Sequence, residues 1–158
     1  MWFVVDIVTC TNLYSCGLTH FQNPRYPYMT EETIIKIVLD EAFHVHKKIG
    51  PGMLESVYKT CLAYRLQKRG LLLETEKPVP VFFEEVKMDC GYRADILVEK
   101  QVIVETKSIE GIGSLQVAQV LTYLRFLGLR YGLILNFDVL MLKDGIRRVL
   151  NGYGDTIS

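Results

Sequence analysis

The stretch YRADILVEKQVIVETK at residues 92–107 decides the fold of this chain. Two runs of strand-forming residues flank the polar tripeptide Glu99-Lys100-Gln101, a pattern that predicts an antiparallel β-hairpin. A three-residue loop pairs Val98 with Val102 and so fixes which side chains share a face of the hairpin. One face then carries the small or apolar side chains of Ala94, Ile96, Val98, Val102, Val104 and Thr106. We therefore expect this face to pack against a core.

The opposite face of the hairpin is charged. The same pairing sets Asp95 opposite Glu105 and Arg93 opposite Lys107. Two neighbouring carboxylates on a half-buried sheet repel each other, and a hard divalent cation such as Mg²⁺, which prefers oxygen ligands, is a suitable counter-ion. Lys107 can then orient or deprotonate an attacking water, or stabilise charge that develops on a phosphate. The alternative is a surface strand whose two acids are neutralised by the two basic side chains.

Two amphipathic helices are predicted before the hairpin. Thr30 is a good N-cap followed by acidic residues, and apolar side chains recur at helical spacing up to a break at Gly50-Pro51-Gly52. A second helix is expected from about residue 53 to residue 69. Residues 1–28 show no sustained period, so we expect an N-terminal extension there and a single domain over residues 29–158.

The remaining elements complete a mixed pattern. A helix is expected from a cap at Ser114 to Gly128, and a near-continuous apolar run after it is typical of a strand buried on both faces. Asp144-Gly145 predicts the turn of a C-terminal hairpin. The predicted strands span residues 79–83, 86–98, 102–108 and 131–137, with hairpin strands at 139–143 and 146–150. The order ααβββαβ plus a C-terminal β-hairpin predicts an α/β fold with a mixed (α+β) sheet.

Composition limits the classes of function. Lys and Arg total 18 and Asp and Glu total 18, so the chain lacks the bulk positive charge that favours coating duplex DNA. The 4 cysteines form no C-x-x-C pair, and we expect reduced thiols in a cytoplasmic protein. No apolar run reaches the ~18 residues that a membrane span needs, so no membrane partner is expected.

Several ordered blocks resemble one protein family. GMLESVY at residues 52–58 is similar to the motif that names the GxxExxY protein family, small bacterial-type members of the PD-(D/E)XK nuclease superfamily. The likeness continues through blocks at residues 78–83, 92–98, 104–107, 118–124, 133–137 and 145–149. This resemblance implies a PD-(D/E)XK nuclease-like core, a mixed sheet flanked by helices, with a metal-dependent centre that cleaves phosphodiester bonds.

Residue by residue, the resemblance assigns a metal site. Asp95 matches the metal-binding aspartate of the superfamily, and Glu105 and Lys107 match its E-x-K pair. Glu55 matches a first-helix glutamate that supports the metal through water in exonuclease-like members; its alternative is a solvated helix carboxylate. The implied metal is Mg²⁺ or Mn²⁺. No cysteine follows Cys90, so the iron–sulfur cluster of some superfamily nucleases is not expected.

Other matches concern residues around this site. Gln119 and Tyr123 are similar to the Q-x-x-x-Y pattern of RecB-like nucleases, whose helix lines the active-site cleft; a solvent-facing glutamine beside a packed tyrosine is the alternative. Tyr58 is either a core aromatic or a substrate contact at the rim. Gln116 stands where many relatives have histidine, so no role is assigned to it. Thr106, inside E-x-K, is expected to point away from the metal.

The charged hairpin and the resemblance together predict hydrolysis of phosphodiester bonds in DNA, with RNA as the alternative nucleic acid. The main alternative function is a catalytically silent module that keeps the fold to bind nucleic acid or a partner protein. A small-molecule phosphodiesterase or transferase is a third class, but the Gly-rich phosphate loop of nucleotide hydrolases does not occur in the sequence. Candidate phosphate contacts, each otherwise a solvated surface charge, are Arg93, Arg125, Lys143, Arg147 and Arg148.

Overall fold

The computed structural model describes residues 29–88 and 91–152, and the predicted extension at residues 1–28 lies outside this part of the chain. Its α-helices are α1 Glu31–Ile49, α2 Glu55–Lys68 and α3 Ser114–Leu127. Thr30 caps α1 as expected, whereas α3 begins at Ser114 with Gly113 as its N-cap, one residue earlier than predicted. Among the described residues, no helix combines the length and the apolar character that crossing a membrane requires.

A five-stranded mixed sheet forms the centre of the fold. The strands of the described residues are β1 Leu73–Pro78, β2 Val81–Phe83, β3 Val86–Met88, β4 Arg93–Val98, β5 Val102–Lys107, β6 Tyr131–Asn136 and β7 Ile146–Leu150. The order in the main sheet is β1-β4-β5-β6-β7, in which β5 and β6 are parallel and the other neighbours antiparallel. Strands β2 and β3 form a separate hairpin. The mixed sheet with flanking helices confirms the predicted fold class.

The strands before β5 differ from the prediction. Strand β1 is missing from the predicted order; its charged sequence and terminal Pro78 are tolerated because β1 lies at the edge of the sheet. The strand predicted at residues 79–83 begins only at Val81. The strand predicted at residues 86–98 is divided into β3 and β4, and Gly91 between them has a φ of +71°, which a regular strand does not allow.

The predicted C-terminal hairpin is also wrong. Leu142–Gly145 form a 3₁₀ turn, and β7 pairs with β6 instead of with residues 139–143. Gly145 packs so closely on the end of β6 that a Cβ there would lie 2.1 Å from the backbone oxygen of Asn136. This contact fits only glycine, and the chain then returns along β6.

The sheet separates two apolar clusters. Helices α1 and α2 cover one face, and α3 covers the other. A Cβ on Gly132 of β6 would lie 2.6 Å from Val120 Cγ1, so the missing side chain lets α3 approach the sheet closely. On the other face, the buried Glu41 of α1 pairs with Arg65 of α2 at 2.7 Å. The first contact brings α3 close to β6, and the second joins α1 to α2.

Candidate active site

Strands β4 and β5 are paired only near their connecting turn. Their ladder contains the predicted pair Val98–Val102 and ends at the pair Ile96–Val104. The charged ends of both strands lie beyond this last pair, where the two described strands separate. The predicted pairs Asp95–Glu105 and Arg93–Lys107 therefore fall outside the ladder. We call the space between these unpaired ends of β4 and β5 the gap.

Asp95 reaches across this gap. Its Oδ2 accepts hydrogen bonds from the backbone N and from Oγ1 of Thr106, at 2.8 and 2.7 Å, so the expectation that Thr106 points away from the site is wrong. Ala94 packs beneath α3 and not with Ile96, so the regular alternation of β4 breaks at Asp95. The distortion extends into β1, where Glu76, beside Asp95, has a φ of +51°.

Glu105 lies in the same gap and is 2 % exposed. Its Oε2 accepts from the backbone N of Asp95 at 3.4 Å, and its Oε1 accepts from Lys107 Nζ at 2.8 Å. Burial, and then the negative charge of Asp95, raise the pKa of Glu105 against the opposing effect of Lys107. Asp95 is thus close enough for its negative charge to disfavour ionisation of Glu105.

Lys107 lies between two glutamates. Its Nζ is 2.8 Å from Glu105 Oε1 and 3.9 Å from Oε1 of Glu55, the first residue of α2. Burial acts to lower the pKa of Lys107, but the hydrogen bond to Glu105 and the surrounding acidic charges outweigh it, and the pKa is raised. Lys107 is therefore an ammonium. Of the roles predicted for it, this state favours orienting water and stabilising phosphate charge over accepting a proton.

Lys59 is a candidate site residue that the sequence reasoning missed. Its Nζ is 3.2 Å from Asp95 Oδ1 and also contacts Glu76 Oε1. Burial acts to lower the pKa of Lys59, but the bonds and charges of Glu76 and Asp95 leave it raised. A signal was available, because Glu55 and Lys59 are four residues apart and so share a helix face. Each buried acid of the gap thus has an ammonium beside it.

Helix α3 contributes the predicted Gln119 and Tyr123. Gln119 Nε2 donates to the Tyr123 hydroxyl at 2.6 Å. Burial raises the pKa of Tyr123, the bond from Gln119 opposes this effect, and the negative charge of Glu105 adds to the rise. Tyr123 therefore lies within electrostatic reach of the acids. Gln116 has a structural role, since its Oε1 accepts from the backbone N of Gly113 at the start of α3.

Tyr58 lies in the core. Its ring is fully buried and stacks on Phe137, with the ring centroids 4.6 Å apart. Its hydroxyl donates to Gly50 O at 2.7 Å and accepts from Met53 N at 3.0 Å. These bonds fasten the loop that leads into Glu55. The geometry supports the packing interpretation of Tyr58 over a contact with substrate.

The predicted basic contacts occupy different faces. Arg147 pairs with Ile134, which pairs in turn with Glu105, so Arg147 lies two strand spacings, roughly 10 Å, from Glu105. Arg148 points to the α1 side, where its Nη1 is 3.2 Å from Glu32 Oε2. Of these two arginines, only Arg147 lies in the same row of the sheet as Glu105. The other predicted contacts, Arg93, Arg125 and Lys143, are exposed side chains of β4, α3 and the 3₁₀ turn.

The acids of the gap fit a hard divalent cation. No group of three or more His, Cys, Asp or Glu side chains within residues 29–88 and 91–152 is arranged to hold a metal ion. Mg²⁺, however, is commonly held by one or two carboxylates, with waters and substrate phosphates in its other positions. Asp95 and Glu105 supply two such carboxylates, and their mutual repulsion is relieved by a positive ion. The donor set therefore suits Mg²⁺ or Mn²⁺, as expected from the sequence.

The fold and the site together define a mixed-sheet α/β protein with paired acids and a lysine where two strands separate. The sequence pattern of the PD-(D/E)XK nuclease superfamily matches residues 32–149, which is most of the chain. The chain belongs to the PD-(D/E)XK nuclease superfamily. Proteins of this superfamily are in general nucleases that hydrolyse phosphodiester bonds, so the class of substrate is nucleic acid. Neither the curated proteins nor the solved structures gave a match.

Proposed function

We propose that this protein is a metal-dependent nuclease of the GxxExxY type that hydrolyses phosphodiester bonds in DNA, with RNA as the second nucleic acid to be tested. One observation carries the proposal. Two buried acids, Asp95 and Glu105, lie in the gap between β4 and β5 with the ammonium of Lys107 on one of them. A surface strand of paired charges does not bury its acids in this way, because burying a carboxylate has a large desolvation cost.

In this proposal the acids hold the metal and α2 supports it. Asp95 and Glu105 each direct a carboxylate into the gap, and we assign Glu55, which is 3.9 Å from Lys107, the water-mediated support that the family resemblance implies. An Mg²⁺ or Mn²⁺ held by Asp95 and Glu105 would supply activation of water and stabilisation of the negative charge that develops on the phosphate. The two hydrogen bonds from Thr106 hold one oxygen of Asp95 and leave its other oxygen facing Lys59.

The remaining side chains act on the substrate and on water. Lys107, as an ammonium, orients the attacking water and stabilises negative charge on the phosphate. Gln119 and Tyr123 of α3 are bonded to each other, and the charge of Glu105 acts on Tyr123, so we assign both side chains to the α3 side of the site. Arg147, on the same row of the sheet as Glu105, is a candidate contact for a neighbouring phosphate.

The decisive experiment replaces Lys107 by alanine. We expect cleavage of DNA in Mg²⁺ or Mn²⁺ to fall by about 10²–10³-fold, the usual loss when a group that stabilises transition-state charge is removed. Lys100→Ala, in the exposed turn between β4 and β5, is the matched control and keeps the wild-type rate. Thermal unfolding checks that both variants fold. A Lys107→Ala variant that cleaves at the wild-type rate contradicts the proposal.

One observation favours the catalytically silent alternative. Lys59 already supplies Asp95 with a positive partner, so the gap is neutralised in part without a metal. Calorimetric titration with Mg²⁺ and Mn²⁺ separates the two functions. A nuclease binds the ion through Asp95 and Glu105, and Asp95→Asn abolishes the binding; a silent module gives no heat with either ion and no cleavage of DNA or RNA.

A further inference from the structure

A groove of about 520 Å³ lies beside the candidate active site. Its walls are formed by α3, by Val81 of the β2–β3 hairpin and by Tyr92, which precedes β4. Most of the lining surface is apolar, and none of the lining side chains is charged. The principal lining residues are Val81, Tyr92, Leu115, Gln119, Tyr123 and Phe126.

The groove lies next to the acids of the gap. Tyr123 lines the groove, and the negative charge of Glu105 acts on Tyr123. The Tyr92 ring meets Tyr123 edge-on, with the centroids 6.2 Å apart. We expect the part of a substrate next to a phosphate bound in the gap to reach the exposed ring of Tyr92, which packs against Tyr123.

The chemistry of the groove suits an unstacked base. Tyr92 is 50 % exposed and Leu115 is 77 % exposed, so apolar surface is presented to solvent beside a site for a charged substrate. A duplex stacks its bases inward and presents phosphates, which are bound by Lys and Arg. A single strand offers the faces of its bases, which stack on aromatic side chains. A groove of tyrosine and phenylalanine without basic residues matches the single strand.

We propose that this groove binds unstacked bases of single-stranded nucleic acid, next to the phosphate held at the gap. This inference rests on the proposed nuclease function and narrows its substrate class. Tyr92 provides the exposed ring on which a base stacks, and Phe126 and Leu115 provide the apolar floor and rim.

The test measures binding of fluorescein-labelled single-stranded DNA, single-stranded RNA and duplex DNA of equal length by anisotropy, in EDTA so that metal-dependent cleavage does not consume the probe. Tyr92→Ala is expected to weaken single-strand binding by roughly 5- to 150-fold, the range for loss of one aromatic stacking partner. Tyr92→Phe keeps the ring and the affinity. Tyr64→Ala removes an equally exposed tyrosine of α2, outside the groove, and binds as wild type does.

The outcomes separate this inference from the proposed function. Equal affinity for duplex and single strand, with Tyr92→Ala indistinguishable from Tyr64→Ala, overturns the groove proposal even if the protein cleaves DNA in Mg²⁺. The same result is expected if the groove receives a protein partner instead of a base. If single-strand binding depends on Tyr92 but no nucleic acid is cleaved in Mg²⁺ or Mn²⁺, the groove proposal stands and the catalytic one fails. Comparing the affinities for single-stranded DNA and single-stranded RNA shows which nucleic acid the groove prefers.

Discussion

Replacing Tyr58 by phenylalanine tests whether the tyrosine of the GxxExxY motif is structural. The substitution keeps the ring stacked on Phe137 and removes the hydroxyl, which bonds both Gly50 O and Met53 N. Each bond contributes about 1 kcal/mol, and the two backbone groups lose their partner in a part-buried loop. We therefore expect a loss of about 2 kcal/mol in the free energy of unfolding. For a chain of this size that corresponds to a fall in Tm of about 4–8 °C.

The assay combines urea denaturation with cleavage kinetics measured well below the Tm. We expect Tyr58→Phe to lower stability while kcat and KM stay near their wild-type values, because the hydroxyl faces the loop before α2 and not the gap. Tyr64→Phe, on the exposed side of the same helix, is the control and should change stability by less than about 0.5 kcal/mol. An unchanged Tm together with a raised KM would show that Tyr58 contacts substrate and that the reasoning is wrong.

Three further substitutions test the packing and the charges. Gly132→Ala should destabilise the protein by about 1–3 kcal/mol in thermal or urea unfolding, because the new Cβ meets Val120, and Val120→Ala in the same chain should restore part of the loss. Glu105→Gln should raise the Tm at pH 7 while abolishing cleavage. The pKa of Glu105 is raised in the folded state, so protonated Glu105 favours folding. This contribution to the free energy of unfolding is complete below about pH 4.5 and is lost as the pH rises through the pKa of the folded state. Glutamine stays neutral at every pH and therefore does not lose this free energy at pH 7. Lys59→Met should tighten calorimetric binding of Mg²⁺ by up to about fivefold, because it removes an ammonium 3.2 Å from Asp95; weaker binding would show that Lys59 helps to hold the ion site.

The parts of the fold that were predicted from sequence are those set by local interactions. Thr30 and the acidic residues after it determine where α1 begins, and neighbouring residues alone carry that signal. The pair Val98–Val102 follows from the length of one turn, which fixes the register of β4 on β5. The superfamily that the residue blocks resemble is confirmed, whereas the assignment to the GxxExxY family stays a prediction.

The details of the site depended on contacts between distant segments. Strict alternation along β4 and β5 placed Thr106 on the face away from Asp95, yet Thr106 donates two hydrogen bonds to that carboxylate. The difference arises because the part of β4 before Ile96 is not paired with β5, while β1, on the other side of β4, adopts a positive φ at Glu76. Neither event has a local sequence signal, since Glu76 is an ordinary charged residue in a strand that the pattern did not predict.

The charge arrangement connects the stability of the fold to the proposed chemistry. Asp95 and Glu105 are buried near each other, and the pKa of Glu105 is raised by burial and by Asp95, so the folded chain opposes full ionisation of the pair. Lys107 and Lys59 offset this unfavourable energy, but they differ in how firmly they are held. Lys107 is partly buried against Glu105 and faces a second acid, whereas Lys59 shares its ammonium with the exposed Glu76 and can remain paired there after leaving Asp95. If the protein is the proposed nuclease, a divalent ion in the gap would therefore compete with Lys59 for Asp95 and leave Lys107 on Glu105. Metal binding would then displace one ammonium and keep the other, which is the one that the proposal assigns to the phosphate.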